Sequence, residues 1–235
     1  MAEIAASLSL VRERMAAACL RAGRAVTEVE LIAVSKTISV AAIREAVEAG
    51  QEIFGESRQQ EAEAKVAALP GALHWHFIGR VQRNKVRKLL PTFEVIHAVD
   101  SLRLATYVAE VAAECGVFPK VFLQVNVAGE ASKGGFEPAE LRAAMEALLG
   151  LQRLEILGLM TIPPAAPEAE AARPWFAALR ELRDALERDF QVSLPGLSMG
   201  MSGDYEVAIE EGATHVRVGS AIFGTRSVRV EGELG

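Results

Sequence analysis

Glu30–Ser39 reads ELIAVSKTIS. An apolar run is followed at once by Lys36, with no glycine-rich turn before the next helical pattern. A doubly wound dinucleotide-binding sheet would carry its Gly-x-Gly-x-x-Gly phosphate loop at this point. The first strand therefore argues against that fold. Seven further apolar runs follow: Glu52–Gly55, His74–Gly79, Val95–Val99, Val121–Val127, Leu154–Met160, Leu197–Gly200 and His215–Val218. Several are apolar on both faces, as parallel strands covered on both sides require. Helical patterns separate them, over 40–49, 57–68, 81–90, 102–115, 138–149, 169–190 and 204–211. Eight strands alternating with helices in 235 residues predict a single α/β domain over 1–235, a (β/α)8 TIM barrel, a fold of typically about 250 residues. An extra N-terminal helix over 2–22 precedes it: Ile4, Leu8, Val11, Met15 and Cys19 recur every three or four residues, and Gly23 closes the run. Pro163–Pro174 reads as a surface loop after the sixth strand.

Composition narrows the function. With 25 Lys and Arg against 31 Asp and Glu, the net charge of −6 disfavours wrapping nucleic acid. The 51% hydrophobic and 24% charged content fits a chain that buries a core. Cys19 and Cys115 are too few for a disulfide scaffold and read as free thiols. No apolar run approaches a membrane span, and the first residues lack a secretory pattern, so a soluble cytoplasmic protein is expected.

In such a barrel, function sits where strands end. The seventh and eighth strands run into Gly- and Ser-rich loops, Gly200–Asp204 and Gly219–Ser220. Glycine lets backbone approach an anion, serine donates a hydroxyl, and barrels of this type often hold phosphate there. Tight turns alone would also explain the glycines. Lys36 ends the first strand. Partial burial would lower its pKa and yield an amine able to attack an aldehyde, although a lysine snorkelling at a strand end is the plainer reading. Arg217 ends the eighth strand, which closes against the first. It could bind a carboxylate, donate to an aromatic nitrogen, or simply pair with a glutamate such as Glu56. Amine, phosphate cradle and arginine together fit a phosphorylated aldehyde held as a Schiff base. Pyridoxal 5′-phosphate (PLP) is one such ligand and an aldolase phosphosugar another, and the residues by themselves do not separate them.

Six motifs in order carry a resemblance: AVSKT at Ala33–Thr37, IFGES at Ile53–Ser57, WHFIGRVQRNK at Trp75–Lys85, GLMTI at Gly158–Ile162, SMGMSGDYEVAI at Ser198–Ile209 and VRVGSAIFG at Val216–Gly224. Over about Leu31 to Arg226 the chain resembles the pyridoxal phosphate homeostasis protein family, related to the alanine racemase N-terminal barrel. The resemblance implies covalent PLP on Lys36, phosphate contacts from Ser202, Gly219 and Ser220, Arg217 facing the pyridine nitrogen, and Asn126 and Met160 lining the ring pocket. It implies carriage or balance of PLP rather than a defined reaction, with PLP-dependent apoenzymes as possible recipients. Ser57 stands where the family usually has Asn, Ser220 where Thr is common, and Val81 where Leu is usual.

An arginine partner can only donate to the ring nitrogen, which leaves the ring a weaker electron sink than an acidic partner would. Racemisation needs a second base on the opposite ring face. Similar racemases take a tyrosine for this from an added β-domain, which this chain is expected to lack. Tyr107 and Tyr205 read as packing residues. PLP binding without turnover is therefore expected, with a low-activity amino-acid racemase as the alternative and a Schiff-base aldolase as a third reading. Without the racemase dimer contact a monomer is expected. The basic run Arg80–Lys88 reads as a solvated helix that could dock a partner or a second phosphate compound. His74, His76, His97 and His215 read as structural rather than metal-binding, and Met199 and Met201 as core packing.

Overall fold

The computed structural model describes residues 2–130 and 133–224. Eight parallel strands, β1 (Glu30–Val34), β2 (Ile53–Glu56), β3 (His74–Phe77), β4 (Val95–Val99), β5 (Lys120–Gln124), β6 (Glu155–Met160), β7 (Gly196–Met201) and β8 (His215–Val218), form a closed barrel in sequence order. Each predicted strand is present. Closure joins β8 to β1, with Ile32 opposite Arg217 and Ala33 opposite Val218. The chain reading at Lys36 and that at Ser220 thus leave the barrel side by side.

The helices are α1 (Ala2–Arg21), α2 (Val40–Glu48), α3 (Gln59–Ala68), α4 (Val86–Leu89), α5 (Leu102–Cys115), α6 (Pro138–Leu149), α7 (Arg173–Phe190), α8 (Tyr205–Glu210) and α9 (Ser220–Phe223). Helix α1 buries Leu8, Val11, Met15, Ala18 and Cys19 and packs beside α2, α8 and α9 on the barrel wall rather than across its base. Arg21 fixes it to Glu210 at 2.6 Å and Glu206 at 3.2 Å. Cys19 is buried and Cys115 half-buried, both as free thiols.

Three sequence expectations need adjustment. The helix over 81–90 shrinks to a 3-10 turn, Arg83–Lys85, followed by the single turn of α4. Strand five stops at Gln124, not Val127, because both ends of the Asn126 amide fold the next loop. Its Nδ2 donates to the Glu130 carbonyl at 3.0 Å, and the Glu130 N–H donates to its Oδ1 at 3.2 Å. The proline-rich segment is a loop only as far as Glu168. Residues Ala169–Ala172 form a 3-10 turn, and Pro174 sits in the first turn of α7, where its missing N–H costs nothing. Thr225 and Arg226, the end of the stretch that carries the resemblance, lie outside the described residues.

The main core lies between strands and helices. Phe54 stacks on Trp75 with ring centroids 5.5 Å apart, and Phe77 meets Phe93 edge-on at 5.1 Å. Inside the barrel the filling is partly polar. Alternation turns His76, His97, Phe122 and His215 inward, where their rings pack together, with His97 stacked on Phe122 at 4.7 Å. Val95, Ala98, Phe122 and Met160 form a small separate apolar cluster.

Candidate functional site at the barrel mouth

The link from β1 to α2 is five residues long, and its middle is clamped. The Ser35 N–H donates to the Gly55 carbonyl at 3.0 Å, and the Ile38 N–H closes a tight turn on the Ser35 carbonyl at 2.9 Å. The Ser35 hydroxyl donates to Glu56 Oε1 at 2.6 Å. Lys65, reaching across from α3, donates to the Ser35 carbonyl at 2.7 Å, to Glu56 at 2.7 Å and to Glu61 at 2.6 Å. Glu61 also accepts the Thr37 N–H. Thr37 is left-handed, with φ of 67°, a conformation costing a non-glycine residue about 1–2 kcal/mol that these bonds offset. Lys36 is held between two anchored neighbours. Glu56 and Lys65 are both almost fully buried. Burial pushes the Glu56 carboxyl up, against the pull of Lys65 and Ser35. For Glu61 burial also pushes upward, but Lys65 and the Thr37 N–H outweigh it and hold the carboxyl low.

The exits of β7 and β8 interlock. Gly200 has φ of +92°, and a Cβ there would fall 2.6 Å from Ala208 Cβ, so only glycine makes this turn. A Cβ on Gly219 would press to 3.2 Å from Val34 Cβ, which keeps the β8 exit flush with the end of β1. The Ser202 hydroxyl accepts from the Gly219 N–H at 3.1 Å and the Ala221 N–H at 3.3 Å.

Arg217 is 4% exposed. It donates to the Thr161 carbonyl at 3.0 Å and to the Ser198 hydroxyl. Burial lowers its pKa to about 10, with the Asp204 charge opposing, so it stays protonated at neutral pH. Glu56, its alternative partner from sequence, is instead held by Lys65. From Ser198 a hydrogen-bonded chain runs down the lumen. Ser198 Oγ lies 2.7 Å from His97 Nδ1, and His97 Nε2 lies 3.0 Å from His76 Nδ1. Arginine can only donate, so the serine accepts from it, and the donor and acceptor roles of the two imidazoles follow the His97 tautomer. Burial holds His97 well below the usual imidazole range, with the His76 and Arg217 charges adding to it. Burial and then the His215 charge lower His76 to about 3. Both rings are neutral at pH 7.

Lys36, Ser202, Arg217, Gly219 and Ser220 border one cavity of about 520 Å³ at the C-terminal mouth. Asn126 and Met160 do not. They line an adjoining cavity of about 240 Å³, and Ile78 and Ile162 border both. Sequence reasoning missed Ser198, Thr161, His97 and Lys65. All four act through other residues, and only the Ser198 position in a strand facing Arg217 could have signalled one of them. The basic run is divided by the fold: Arg83 lies over the Tyr107 ring at 4.6 Å and Arg87 pairs with Glu114. Among the described residues no group of three or more His, Cys, Asp or Glu is placed to hold a metal. No described helix is long and apolar enough to cross a membrane.

Comparison with known proteins gives this geometry its family. A profile described as "Alanine racemase, N-terminal domain" matches residues 10–227. The Aquifex aeolicus protein named "Pyridoxal phosphate homeostasis protein" is 48% identical over 93% of this chain and 96% of its own. The chain belongs to the pyridoxal phosphate homeostasis protein family. The Pseudomonas aeruginosa member of that name is 46% identical over 96% of this chain and 97% of its own. PipY of Synechococcus elongatus, a structure with PLP bound, superposes with a TM-score of 0.79 at 43% identity, covering 91% of this chain and 100% of PipY. An alanine racemase of Clostridium difficile shares the fold, with a TM-score of 0.74 at 14% identity over 97% of this chain and 58% of the racemase.

Proposed function

We propose that this protein binds PLP covalently through Lys36 and serves intracellular PLP homeostasis, as a carrier without catalytic turnover. The reading rests on one observation: Lys36, the Ser202 and Ser220 side chains and Arg217 border a single cavity whose lining contains no carboxylate. That donor set fits a phosphorylated aromatic aldehyde. The Gly219 and Ala221 N–H groups, now on Ser202 Oγ, lie where a phosphate would share them. Bound PLP supplies an aldehyde that reacts with amines and a ring that withdraws electrons.

The chain's own residues set the rest. The Lys65 network fixes the backbone on either side of Lys36, so the amine starts from a defined position. Ser202 and Ser220 serve the phosphate as hydroxyl donors. Arg217, kept charged and tied to Thr161 and Ser198, can only donate a hydrogen bond to the ring nitrogen, which limits electron withdrawal. Asn126 and Met160 shape the neighbouring wall against the ring. Tyr107 and Tyr205, the only tyrosines in the sequence, do not border the cavity, so no observation favours the racemase reading. We further propose a single barrel domain over 1–235, acting as a monomer in the cytoplasm, with PLP-dependent apoenzymes as recipients.

Borohydride reduction of PLP-treated protein, followed by peptide mass mapping, tests this. The expected result is one pyridoxyl adduct on the peptide containing Lys36, and no turnover of a panel of amino acids. A protein that acquires no visible absorbance with PLP, or an adduct confined to other lysines, overturns it.

A further inference from the structure

A third cavity, of about 260 Å³, opens on the same barrel face between the exits of β2 and β3. Phe77 and Leu89 contribute apolar lining. Arg58, Arg80 and Lys85, with Ser57 and three glutamines, bring the polar groups. No carboxylate belongs to the lining, and among the described residues none of these three cations has a carboxylate within salt-bridge distance. The neighbouring acids lie outside this lining: Glu56 and Glu61 hold Lys65, with Arg58 also helping to keep the Glu61 carboxyl low, Glu63 accepts from Gln59, and Asp100 borders the adjoining cavity, which Arg80 borders too.

The cations come from separate elements. Arg58 is the residue before α3, Arg80 follows β3, and Lys85 ends the 3-10 turn. The remaining cations of the basic run are excluded from the lining, and Arg83 and Arg87 have their own partners. The fold, not the run of charge in sequence, therefore assembles this cluster. Like charges gathered on one concavity repel, and an anion removes that cost. The site is small and concave on a chain of net charge −6, which suits a compact anion better than an extended polyanion.

We infer that this cleft is a second anion site, taking the phosphate group of a small phosphate monoester. Its existence does not depend on the PLP reading. The test uses the full chain saturated with PLP, reduced with borohydride and freed of excess, so that the mouth cradle is filled. Inorganic phosphate is then titrated in and followed by calorimetry and by 31P line width. The expected result is saturable binding of one phosphate per chain, weakened at least tenfold by the double variant Arg80→Gln/Lys85→Gln and by added salt, and unchanged by Lys88→Gln, which lies outside the lining. Arg80→Lys should recover most of the affinity. Absence of saturable binding overturns the inference, as does equal weakening by Lys88→Gln. So does tighter binding of an oligonucleotide at the same residues, which would make the cleft a nucleic-acid contact. Failure of the PLP reading appears earlier, as missing absorbance before phosphate is added, so the two failures are distinguishable.

Discussion

At the N-terminal end of the strands, Glu30 meets His215 at 3.0 Å and Glu94 meets His74 at 3.0 Å, around a cavity of about 500 Å³. At the C-terminal end, Lys36, Arg217 and two serines border a cavity of about 520 Å³ that contains no acid. Volume does not distinguish these ends. Chemistry does: below, acids and bases answer one another, whereas above, two cations and two hydroxyls border a space with no carboxylate in its lining. An end whose acids and bases pair within the lining has little to offer an anion, and a lining of cations and hydroxyls without a carboxylate suits one. The lumen chain from Arg217 through Ser198 and His97 to His76 joins the two.

The largest effect should come from Lys36→Ala, with complete loss of covalent PLP, while His215→Asn at the opposite end keeps it. Absorbance after gel filtration reads both, and equal loss in the two variants would erase the contrast. Next, Lys65→Met strands Glu56 in the protein interior and should destabilise by about 3–5 kcal/mol in urea denaturation. The double variant Glu56→Gln/Lys65→Met should regain much of this, and if the two changes simply add, the pair is not coupled. Ser198→Ala removes the group shared by Arg217 and His97. It should cost about 1–3 kcal/mol and shift the absorbance maximum of bound PLP, whereas Ser198→Thr should preserve both. A spectrum unmoved by Ser198→Ala would show that the lumen does not hold Arg217 in place.

Acid sharpens the comparison further. His76 and His97 are depressed in the folded protein, so the unfolded chain binds more protons below its imidazole pKa of about 6.5. Their stabilisation is complete above that pH and is lost as pH falls, for His76 toward about 3, by at most about 1.4 kcal/mol per pH unit for each ring. The variant His76→Gln/His97→Asn should flatten this slope in thermal unfolding, and an unchanged slope would place the acid sensitivity elsewhere. Smallest, Glu94→Gln breaks the exposed pair with His74 and should move stability by no more than about 0.5 kcal/mol in the same assay.

Much of the barrel was legible because both-face apolar runs such as Val95–Val99 admit few alternatives. The mouth residues were legible for the same reason: Lys36, Ser202, Arg217, Gly219 and Ser220 follow directly from strand ends, where topology fixes position. What escaped depends on distant pairing. Nothing local says that Lys65, on the inner side of α3, reaches the Ser35 carbonyl, or that His97 meets Ser198 across the lumen. The Asn126 amide folds its own loop, a competition that strand periodicity does not reveal. The stretch Arg80–Lys88 is contiguous in sequence, yet the fold sends Arg80 and Lys85 to one cleft, Arg83 to the Tyr107 ring and Arg87 to Glu114, a division that the run of charge does not reveal.

Lys36 follows the first strand and Gly219 and Ser220 follow the last, and the seam between those strands brings them to one cavity. A nascent chain cannot assemble this pocket until its final strand has docked. Any molecule held across that seam would report completed folding and act as a staple against its reopening.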